Sequence, residues 1–344
     1  MKPWRPLVML VALGAGFAPG PAVGGAEPLD PYRPPANEST TIRLWGDRHL
    51  AGLARAWAAG YQASQPGANF TFHLLGNGTA MPALYLGLAD VALFGRDLIV
   101  TDSDGFAHVR KYSPLRVELA TGSLATPGEA PALVLAVRSD NPLRELTLQQ
   151  VDAIFSSQRR LGSTTEIRTW GQLGLTGEWA GRPIHLHADD TESMAALFFQ
   201  RVALGGSRRM NWEHFAEYSD RREPDGTVIT AAEQTAAALR ADGSGLAVTN
   251  ASYLTPDLKA LSLAEGPAGT FYAPVVENVA SRRYPLARPV FACIDQPPGQ
   301  PINPSVRDFL RYVLSPDGQA IIERSSGYLA LTSAAAGREA SKLR

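Results

Sequence analysis

The sequence has 344 residues, of which 45% are hydrophobic and 19% charged, with a formal net charge of −1 at pH 7. This composition excludes intrinsic disorder and a membrane-embedded body, and it supplies enough apolar surface for one large or two medium domains. The near-neutral charge also argues against nucleic acid as a partner. Cys293 is the single cysteine, so stability is expected to come from a packed core and not from disulfides.

Residues 1–26 have the features of a secretory signal peptide. Lys2 and Arg5 precede an apolar run over residues 7–18, and small residues close the segment at Ala26. The run is short and interrupted by glycine, which argues against a transmembrane span. We therefore expect export to the periplasm, with cleavage after Ala26.

The first predicted unit of structure follows a proline-rich linker over residues 27–40. A strand is predicted near Thr41–Trp45, and Gly46–His49 is predicted to form a loop. Apolar residues then recur at helical spacing up to Tyr61, which predicts an amphipathic helix. These elements form a strand, loop and helix in succession, a pattern typical of α/β proteins.

The stretch Asn69–Leu98 predicts a strand, a glycine turn, a helix and a second strand. Apolar residues alternate over Phe70–Leu74, and the turn Gly76–Thr79 ends the alternation. The apolar run Val91–Phe94 suits a buried parallel strand. A turn of small residues at a helix N-terminus favours an anion, although a tight turn with Thr79 as the helix N-cap would explain the same residues.

The same pattern restarts after Pro131. Strands and helices are predicted to alternate, with a strand over residues 132–137, a helix over Thr147–Phe155, a strand over Arg182–His187, a helix from Met194, a capped helix over residues 230–240 and a strand over Leu246–Thr249. Two helices over residues 305–324 and a flexible tail over residues 333–344 are predicted to end the chain. Such units predict parallel-rich sheets flanked by helices, with ligands at the carboxyl ends of the strands.

Four short segments carry a more specific pattern. They are Leu146–Phe155 (LTLQQVDAIF) with Trp170-Gly171, Gly245–Thr249 (GLAVT), Glu277–Val279 (ENV) with Tyr284–Pro289 (YPLARP), and Phe309–Gln319 (FLRYVLSPDGQ). Together they resemble the phosphate-type substrate-binding proteins of bacterial ABC importers, which have the type II periplasmic binding protein fold. The resemblance spans most of the chain that follows the predicted signal peptide.

This resemblance implies two α/β lobes joined by two crossovers, with a small anion, phosphate above all, held in the cleft between them. Lobe one would comprise residues 41–131 and 250–332, and lobe two residues 132–249. The lobes would close about a hinge on the ligand, and an inner-membrane ABC permease would recognise the closed form. A monomer without a cofactor, a bound metal or enzymatic activity is expected.

The resemblance also implies a set of ligand contacts. Family members hold phosphate with backbone N–H groups and hydroxyls at two helix N-termini, together with a carboxylate and an arginine-containing segment. In lobe one this points to Asn77, Gly78 and Thr79 at the glycine turn and to Arg48 in the preceding loop. Asp47 in that loop departs from the family pattern, since its charge would repel an anion.

The segment Gly95–Leu98 resembles the Ser-Arg-Pro-Leu segment of the family. Arg96 would supply a guanidinium fork, and Asp97 would accept the proton of the ligand. The alternative interpretation is a structural salt bridge beside the cleft, and the sequence leaves both open.

The loop before the lobe-two helix departs most from the family. His187 stands where arginine is expected and Glu192 where glycine is expected, while Thr191 and Ser193 keep their hydroxyls. If His187 replaces the arginine, binding should strengthen below the ordinary imidazole pKa of about 6.5. Alternatively, Asp190 is only the N-cap of the helix and Glu192 an acid in its first turn, and the anion site is weakened.

The sequence leaves two other functions open. His185, His187 and Asp189 share one strand face, a spacing that metal ligands also use, although no further histidine or cysteine cluster accompanies them. A binding-fold protein with a different ligand, acting as a sensor or as a partner of another envelope protein, would explain Asp47 and Glu192. Hydrolase motifs such as Gly-x-Ser-x-Gly and His-Glu-x-x-His are absent, so an enzyme is not expected.

Overall fold

The computed structural model describes residues 31–32, 40–325 and 327–344. The predicted signal peptide and most of the predicted linker lie outside these residues. Among the described residues, no helix combines the length and the apolar character that crossing a membrane requires. The chain forms two α/β lobes, each built on a five-stranded sheet, as the sequence predicts.

The sheet of lobe one is parallel on one side and antiparallel on the other. Its spatial order is β2 (Ala68–His73), β1 (Thr40–Gly46), β3 (Val91–Phe94), β14 (Pro289–Ile294) and β4 (Leu115–Thr121). β1 pairs in parallel with β2 and β3, whereas β14 is antiparallel to β3 and β4. The chain therefore returns to complete this sheet after it has built lobe two.

Helices cover both faces of this sheet. They are α1 (Ala51–Ser64), α2 (Asn77–Tyr85), α3 (Val100–Arg110), α8 (Pro304–Val313), α9 (Pro316–Ser325) and α10 (Ser333–Ser341). Trp57 of α1 and Phe309 of α8 are buried in one core cluster, and Met81 of α2 and Phe106 of α3 in another. Successive residues of β3 enter the two clusters in turn, as the two-residue period of a strand requires.

The sheet of lobe two has the spatial order β12 (Leu258–Ala260), β5 (Leu133–Arg138), β11 (Gly245–Asn250), β7 (His185–Asp189) and β8 (Phe215–Tyr218). Its helices are α4 (Leu148–Phe155), α5 (Met194–Ala203), α6 (Ala231–Ala241) and α7 (Val276–Ala280). Two small sheets pair β6 (Glu145–Thr147) with β13 (Ser262–Ala264) and β9 (Arg221–Arg222) with β10 (Val228–Ile229). Phe155, Trp170 and Tyr284 are buried in the main core.

Two crossover segments connect the lobes, one between β4 and β5 and the other just before β14. They run side by side, because the Gly122 N–H donates to the Arg288 carbonyl at 2.7 Å and the Leu133 N–H donates to the Leu286 carbonyl at 3.2 Å. A Cβ at Gly122 would lie 2.0 Å from the Ala130 carbonyl oxygen, so glycine is required there. We refer to these paired crossovers as the hinge.

The second crossover comes later than the sequence predicts. The sequence predicts that residues 250–332 belong to lobe one. In the structure, however, β12 pairs with β5 and β13 pairs with β6, and both partners are strands of lobe two. Tyr284 and Leu286 are also buried in the lobe-two core. The boundary at residue 250 is therefore moved to the crossover before β14. Strands of three residues with no helix between them have too little periodicity to be assigned from sequence.

Residues 333–344 pack against lobe one, with Ser333–Ser341 helical, and do not form the flexible tail that the sequence predicts. Ala336 and Leu343 are fully buried against lobe one. Glu339 also accepts a hydrogen bond from the Glu118 N–H at 2.7 Å, which ties α10 to β4. The prediction of a tail rested on the position at the end of the chain, whereas burial of Ala336 and Leu343 holds this segment against lobe one.

Candidate ligand-binding cleft

The loops that follow β1, β2 and β3 meet at one edge of the lobe-one sheet. The Asp47 N–H donates to the Leu93 carbonyl at 3.0 Å, and the Gly76 N–H donates to the Gly46 carbonyl at 2.8 Å. Gly46 has a φ of +150°, and a Cβ there would lie 2.1 Å from the Leu93 oxygen. The carboxyl ends of three strands are thus held together, where a parallel sheet binds its ligands.

The N-terminus of α2 keeps the features of an anion site. The Asn77 and Gly78 N–H groups at its start have no acceptor within the helix, whereas the Thr79 N–H donates to the Gly76 carbonyl at 3.1 Å. Gly78 is exposed, and a Cβ added to it would contact no atom within 4 Å. The Thr79 hydroxyl donates to the Gly76 carbonyl at 2.8 Å. Since α2 begins at Asn77, Thr79 lies inside the first turn and is not the N-cap of the alternative interpretation.

Asp47 is buried beside this helix, and local donors surround its carboxylate. Its Oδ2 accepts from Asn77 Nδ2 at 2.8 Å, and its Oδ1 accepts from the His49 N–H at 3.0 Å. Arg48 is exposed and donates to the Leu75 carbonyl at 3.3 Å. Asp47 therefore shapes the two loops, and the side chain of Asn77 is used in holding it.

Arg96 forms the structural salt bridge that the sequence leaves open. Its Nη1 donates to Asp102 Oδ2 at 2.5 Å and to the Asp97 carbonyl at 2.7 Å, and both ionic side chains are more than 90% buried. The guanidinium also lies 5.5 Å from the centre of the Phe94 ring. The Nη1 group of Arg96 is thus bound to the segment that begins α3 and not directed to a ligand.

Asp97 connects the two lobes. Its Oδ1 accepts from Arg116 Nη2 of lobe one at 2.8 Å, and its Oδ2 forms an ion pair with Arg201 on α5 of lobe two. A cavity of about 340 Å³ adjoins this contact, between the start of α3 and α5, and Met194 and Phe198 contribute to its lining. The lobes therefore contact each other through a charged residue that was expected to contact the ligand.

His187 lies beside α6 and its side chain is held by lobe two. Its Nε2 lies 3.0 Å from Asp242 Oδ2, and its Nδ1 lies 3.1 Å from the Tyr218 hydroxyl. Burial opposes the charge of Asp242, but hydrogen bonds from His187, Ser244 and His185 hold its pKa below the ordinary value. The imidazole is thus already hydrogen-bonded through both nitrogens.

The hydroxyls of the same loop also have partners within lobe two. The Thr191 N–H and Oγ1 each lie 3.2 Å from Glu217 Oε2. Ser193 is the N-cap of α5, with its Oγ accepting from the Ala196 N–H at 3.1 Å. Asp190 is therefore not the N-cap of our alternative interpretation, and Glu192 precedes the helix instead of lying in its first turn.

The proposed metal ligands are not gathered around one point. His185 and His187 both face Asp242, whose Oδ2 lies 2.9 Å from His185 Nδ1. No group of three histidine, cysteine, aspartate or glutamate side chains that could hold a metal ion occurs among the described residues. The metal interpretation therefore receives no support from the geometry.

Two charged residues near the crossovers, Asp189 and Arg288, were not predicted from the sequence, and each influences the pKa of the other. Burial and, to a smaller extent, Asp220 raise the pKa of Asp189 to about 6, and Arg288 opposes the shift. Burial lowers the pKa of Arg288, and the carboxylates of Asp97, Asp47 and Asp189 oppose the change. Arg288 belongs to the Tyr284–Pro289 motif, which in the sequence indicates the family but not the position of this arginine beside the crossovers.

Comparisons with known proteins agree with this architecture. A family model described as a PBP superfamily domain matches residues 33–317. Phosphate-binding protein PstS of Pseudomonas aeruginosa is 30% identical to this chain over 333 residues, which cover 96% of each protein.

Solved structures show the same two-lobed fold. PstS from Borrelia burgdorferi has a TM-score of 0.56 at 15% identity, covering 85% of this chain and 99% of that one. An ABC-type phosphate transport receptor from Vibrio cholerae has a TM-score of 0.52 at 17% identity, covering 84% and 99%. The chain belongs to the PBP superfamily and, within it, to the family of phosphate-binding protein PstS.

Proposed function

We propose that this protein is the solute-binding component of an ABC importer and that its ligand is phosphate. The proposal is carried by the 30% identity to the P. aeruginosa phosphate-binding protein over 96% of both chains. A match of that extent includes both lobes, both crossovers and the cleft. The N-terminus of α2 supports the same conclusion, because the free Asn77 and Gly78 N–H groups and the helix dipole favour an anion.

The proposed contacts come from both lobes. In lobe one, the anion accepts from the backbone N–H groups at the start of α2, with the Thr79 hydroxyl beside them. In lobe two, the loop before α5 closes over it. Arg48 is exposed at the mouth of the cleft and attracts the anion from solution. The proposed contact residues are Asn77, Gly78 and Thr79 in lobe one and Thr191 and Ser193 in lobe two.

The proposed role in transport requires export of the protein, binding of the ligand and closure of the lobes. The predicted signal peptide would deliver the protein to the periplasm, where the monomer binds its ligand without any catalytic step. Closure of the lobes about the paired crossovers would then present the loaded form to an inner-membrane permease.

Two aspartate substitutions test the anion site. Gly78→Asp places a carboxylate in the first turn of α2, where it would compete with the ligand for the same N–H groups. Gly52→Asp is the matched control, because it lies in the first turn of α1 and an added Cβ likewise meets no atom within 4 Å. In calorimetric titration with phosphate, G78D should lose about 100-fold in affinity, and G52D should match the wild type.

Thermal melting in the presence of different anions tests the ligand itself. Phosphate should raise the melting temperature of the wild type by mass action, while sulfate at the same concentration should raise it less. A protein stabilised only by another oxyanion would contradict phosphate as the ligand. A protein that responds to no anion would overturn the proposal and favour the sensor or envelope partner that the sequence leaves open.

A further inference from the structure

Arg288 occupies a fixed position at the hinge. Its carbonyl accepts the hydrogen bond from Gly122 at 2.7 Å that joins the two crossovers, and the next residue, Pro289, begins β14. The backbone of Arg288 therefore belongs to both lobes at the point where they meet. A side chain that starts there can reach a ligand held between the lobes whichever lobe moves.

Among the described residues, the half-buried side chain of Arg288 lacks ion-pair partners of the kind that Arg96 and Arg116 have. Its Nε is fully buried and has no hydrogen-bond partner in the part of the chain that the structure describes. By contrast, Arg96 is paired with Asp102, and Arg116 with Asp97. Because a buried cation without a paired anion is strongly destabilising, such a group is retained where a ligand supplies the missing charge.

The carboxylates around Arg288 are largely occupied by other donors. Asp97, Asp47 and Asp189 are close enough to raise its pKa against the effect of burial. Asp47 is hydrogen-bonded by Asn77, and Asp97 is paired with two arginines. Asp189 has an Oδ1 without a partner among the described residues, and burial disfavours its charged form. None of the three therefore neutralises Arg288 as a dedicated partner.

We propose that Arg288 is the guanidinium that binds the oxyanion, from the hinge, in place of the arginine that the family resemblance leads one to expect at position 187. The inference rests on the proposed function, since it assigns the charged contact of the same cleft. It explains why His187 could be drawn into a hydrogen-bonded group with Asp242 and Tyr218 without removing all positive charge from the site. It also places the charged contact where a bound anion touches the hinge.

Substitutions of Arg288 separate ligand binding from structural support. Arg288→Gln should weaken phosphate binding by about 100-fold in calorimetric titration, because it removes charge-assisted hydrogen bonds. Arg288→Lys keeps the charge but loses the planar fork, and should weaken binding by about tenfold. The control is Arg283→Gln, since Arg283 is exposed and paired with Glu277, and it should bind like the wild type.

The melting temperature of the ligand-free protein gives an independent readout. If Arg288 serves the ligand, R288Q should melt at or above the wild-type temperature, because an unpaired buried charge is gone. If Arg288 only supports the fold, R288Q should melt lower. Phosphate binding by R288Q or R288K within threefold of the wild type would overturn the inference and leave the proposed function intact. A wild type that binds no anion would overturn both.

Discussion

The two loops that correspond to the anion-binding segments of the family differ in how much of their hydrogen-bonding capacity is already used. At the start of α2 in lobe one, Gly78 is exposed and the Asn77 and Gly78 N–H groups have no acceptor within the helix, while Thr79 donates through its N–H and its hydroxyl to the Gly76 carbonyl. Before α5 in lobe two, Glu217 accepts from both the N–H and the hydroxyl of Thr191, and Ser193 caps its own helix. The loops therefore differ mainly at two backbone N–H groups, those of Asn77 and Gly78, which stay available in lobe one.

This difference assigns unequal roles to the lobes. Buried polar groups that already have partners gain little from a ligand, because one hydrogen bond is exchanged for another. Affinity is therefore expected to come from α2 and from Arg288 at the hinge, with lobe two closing the cleft and excluding water. Substitutions in each lobe test these unequal roles.

The largest effect is expected from Asp102→Asn, which would leave Arg96 buried without its anion. Both side chains are more than 90% buried, and removing one member of such a pair costs about 3–5 kcal/mol. Chemical denaturation should show this loss in the free energy of unfolding. Phosphate affinity measured on the remaining folded protein should not change, because Arg96 belongs to the scaffold of lobe one and not to the ligand site.

The matched control is Asp90→Asn. Asp90 pairs with Arg43 in the same lobe at 2.7 Å, but that arginine side chain is 40% exposed. The loss of stability should therefore stay below about 1 kcal/mol. If D102N and D90N cost the same, Arg96 is not held as tightly as its contacts indicate, and its role as a ligand contact would have to be considered again.

A smaller effect on stability is expected at Asp189, with a defined pH dependence. Its pKa is about 6 in the folded protein, against about 4 in an unfolded chain. Above pH 6 the folded state carries a buried carboxylate that the unfolded state solvates freely. As pH falls from 6 to about 4, the folded state binds a proton that the unfolded state does not, and stability rises.

Asp189→Asn removes this dependence. The variant should exceed the wild type by about 2 kcal/mol in free energy of unfolding near pH 7.5, and the difference should vanish by about pH 4. Asp104→Asn, an exposed change on α3, should show no such crossover. An advantage of D189N that is equal at both pH values would mean that the gain has a cause other than the charge of Asp189.

The parts of the protein that the sequence could reveal are those with local signatures. The strand and helix units of Asn69–Leu98 follow from periodicity and from one glycine turn. The site was harder to predict because hydrogen bonding between distant segments decides which side chains are available. Nothing near His187 in the sequence indicates Asp242, and nothing near Arg96 requires Asp102 to take its charge instead of a ligand.

Arg288 is a second residue whose environment could not be predicted from the sequence. The motif that contains Arg288 is recognisable in the sequence. The absence of a partner for its side chain within the described residues is evident only in the folded protein, where two crossovers separated by more than 150 residues lie side by side. The predicted lobe boundary at residue 250 was wrong for a related reason, since β12 and β13 are recognisable only through the strands with which they pair. The family resemblance was sufficient to predict the fold. Tertiary contacts, which the sequence does not reveal, determine which side chains are available to a ligand.

A modest gain in affinity is expected from Glu217→Gln. This change removes a negative charge beside the lobe-two loop and weakens the hold on Thr191, whose N–H and hydroxyl could then turn to the anion. Since Glu217 is exposed, the effect on phosphate binding should be about fivefold in calorimetric titration. Glu213→Gln is the control, because Glu213 pairs with Arg168 at 2.7 Å elsewhere in the lobe. Unchanged affinity in E217Q would mean that Thr191 takes no part in binding even when released.

The smallest effect is expected where the lobes touch. Arg201→Ala removes the ion pair from α5 to Asp97 but leaves Asp97 paired with Arg116 at 2.8 Å. Because the Arg201 side chain is 50% exposed, the contact is weak, and phosphate affinity should fall by only about twofold.

Arg208→Ala is its counterpart, since that arginine pairs with Glu192 inside lobe two and should leave the angle between the lobes unchanged. Small-angle scattering of the ligand-free proteins should show a larger radius of gyration for R201A than for R208A. Equal radii would mean that the ion pair between Arg201 and Asp97 does not affect the angle between the lobes, and that the crossovers determine this angle in the ligand-free protein.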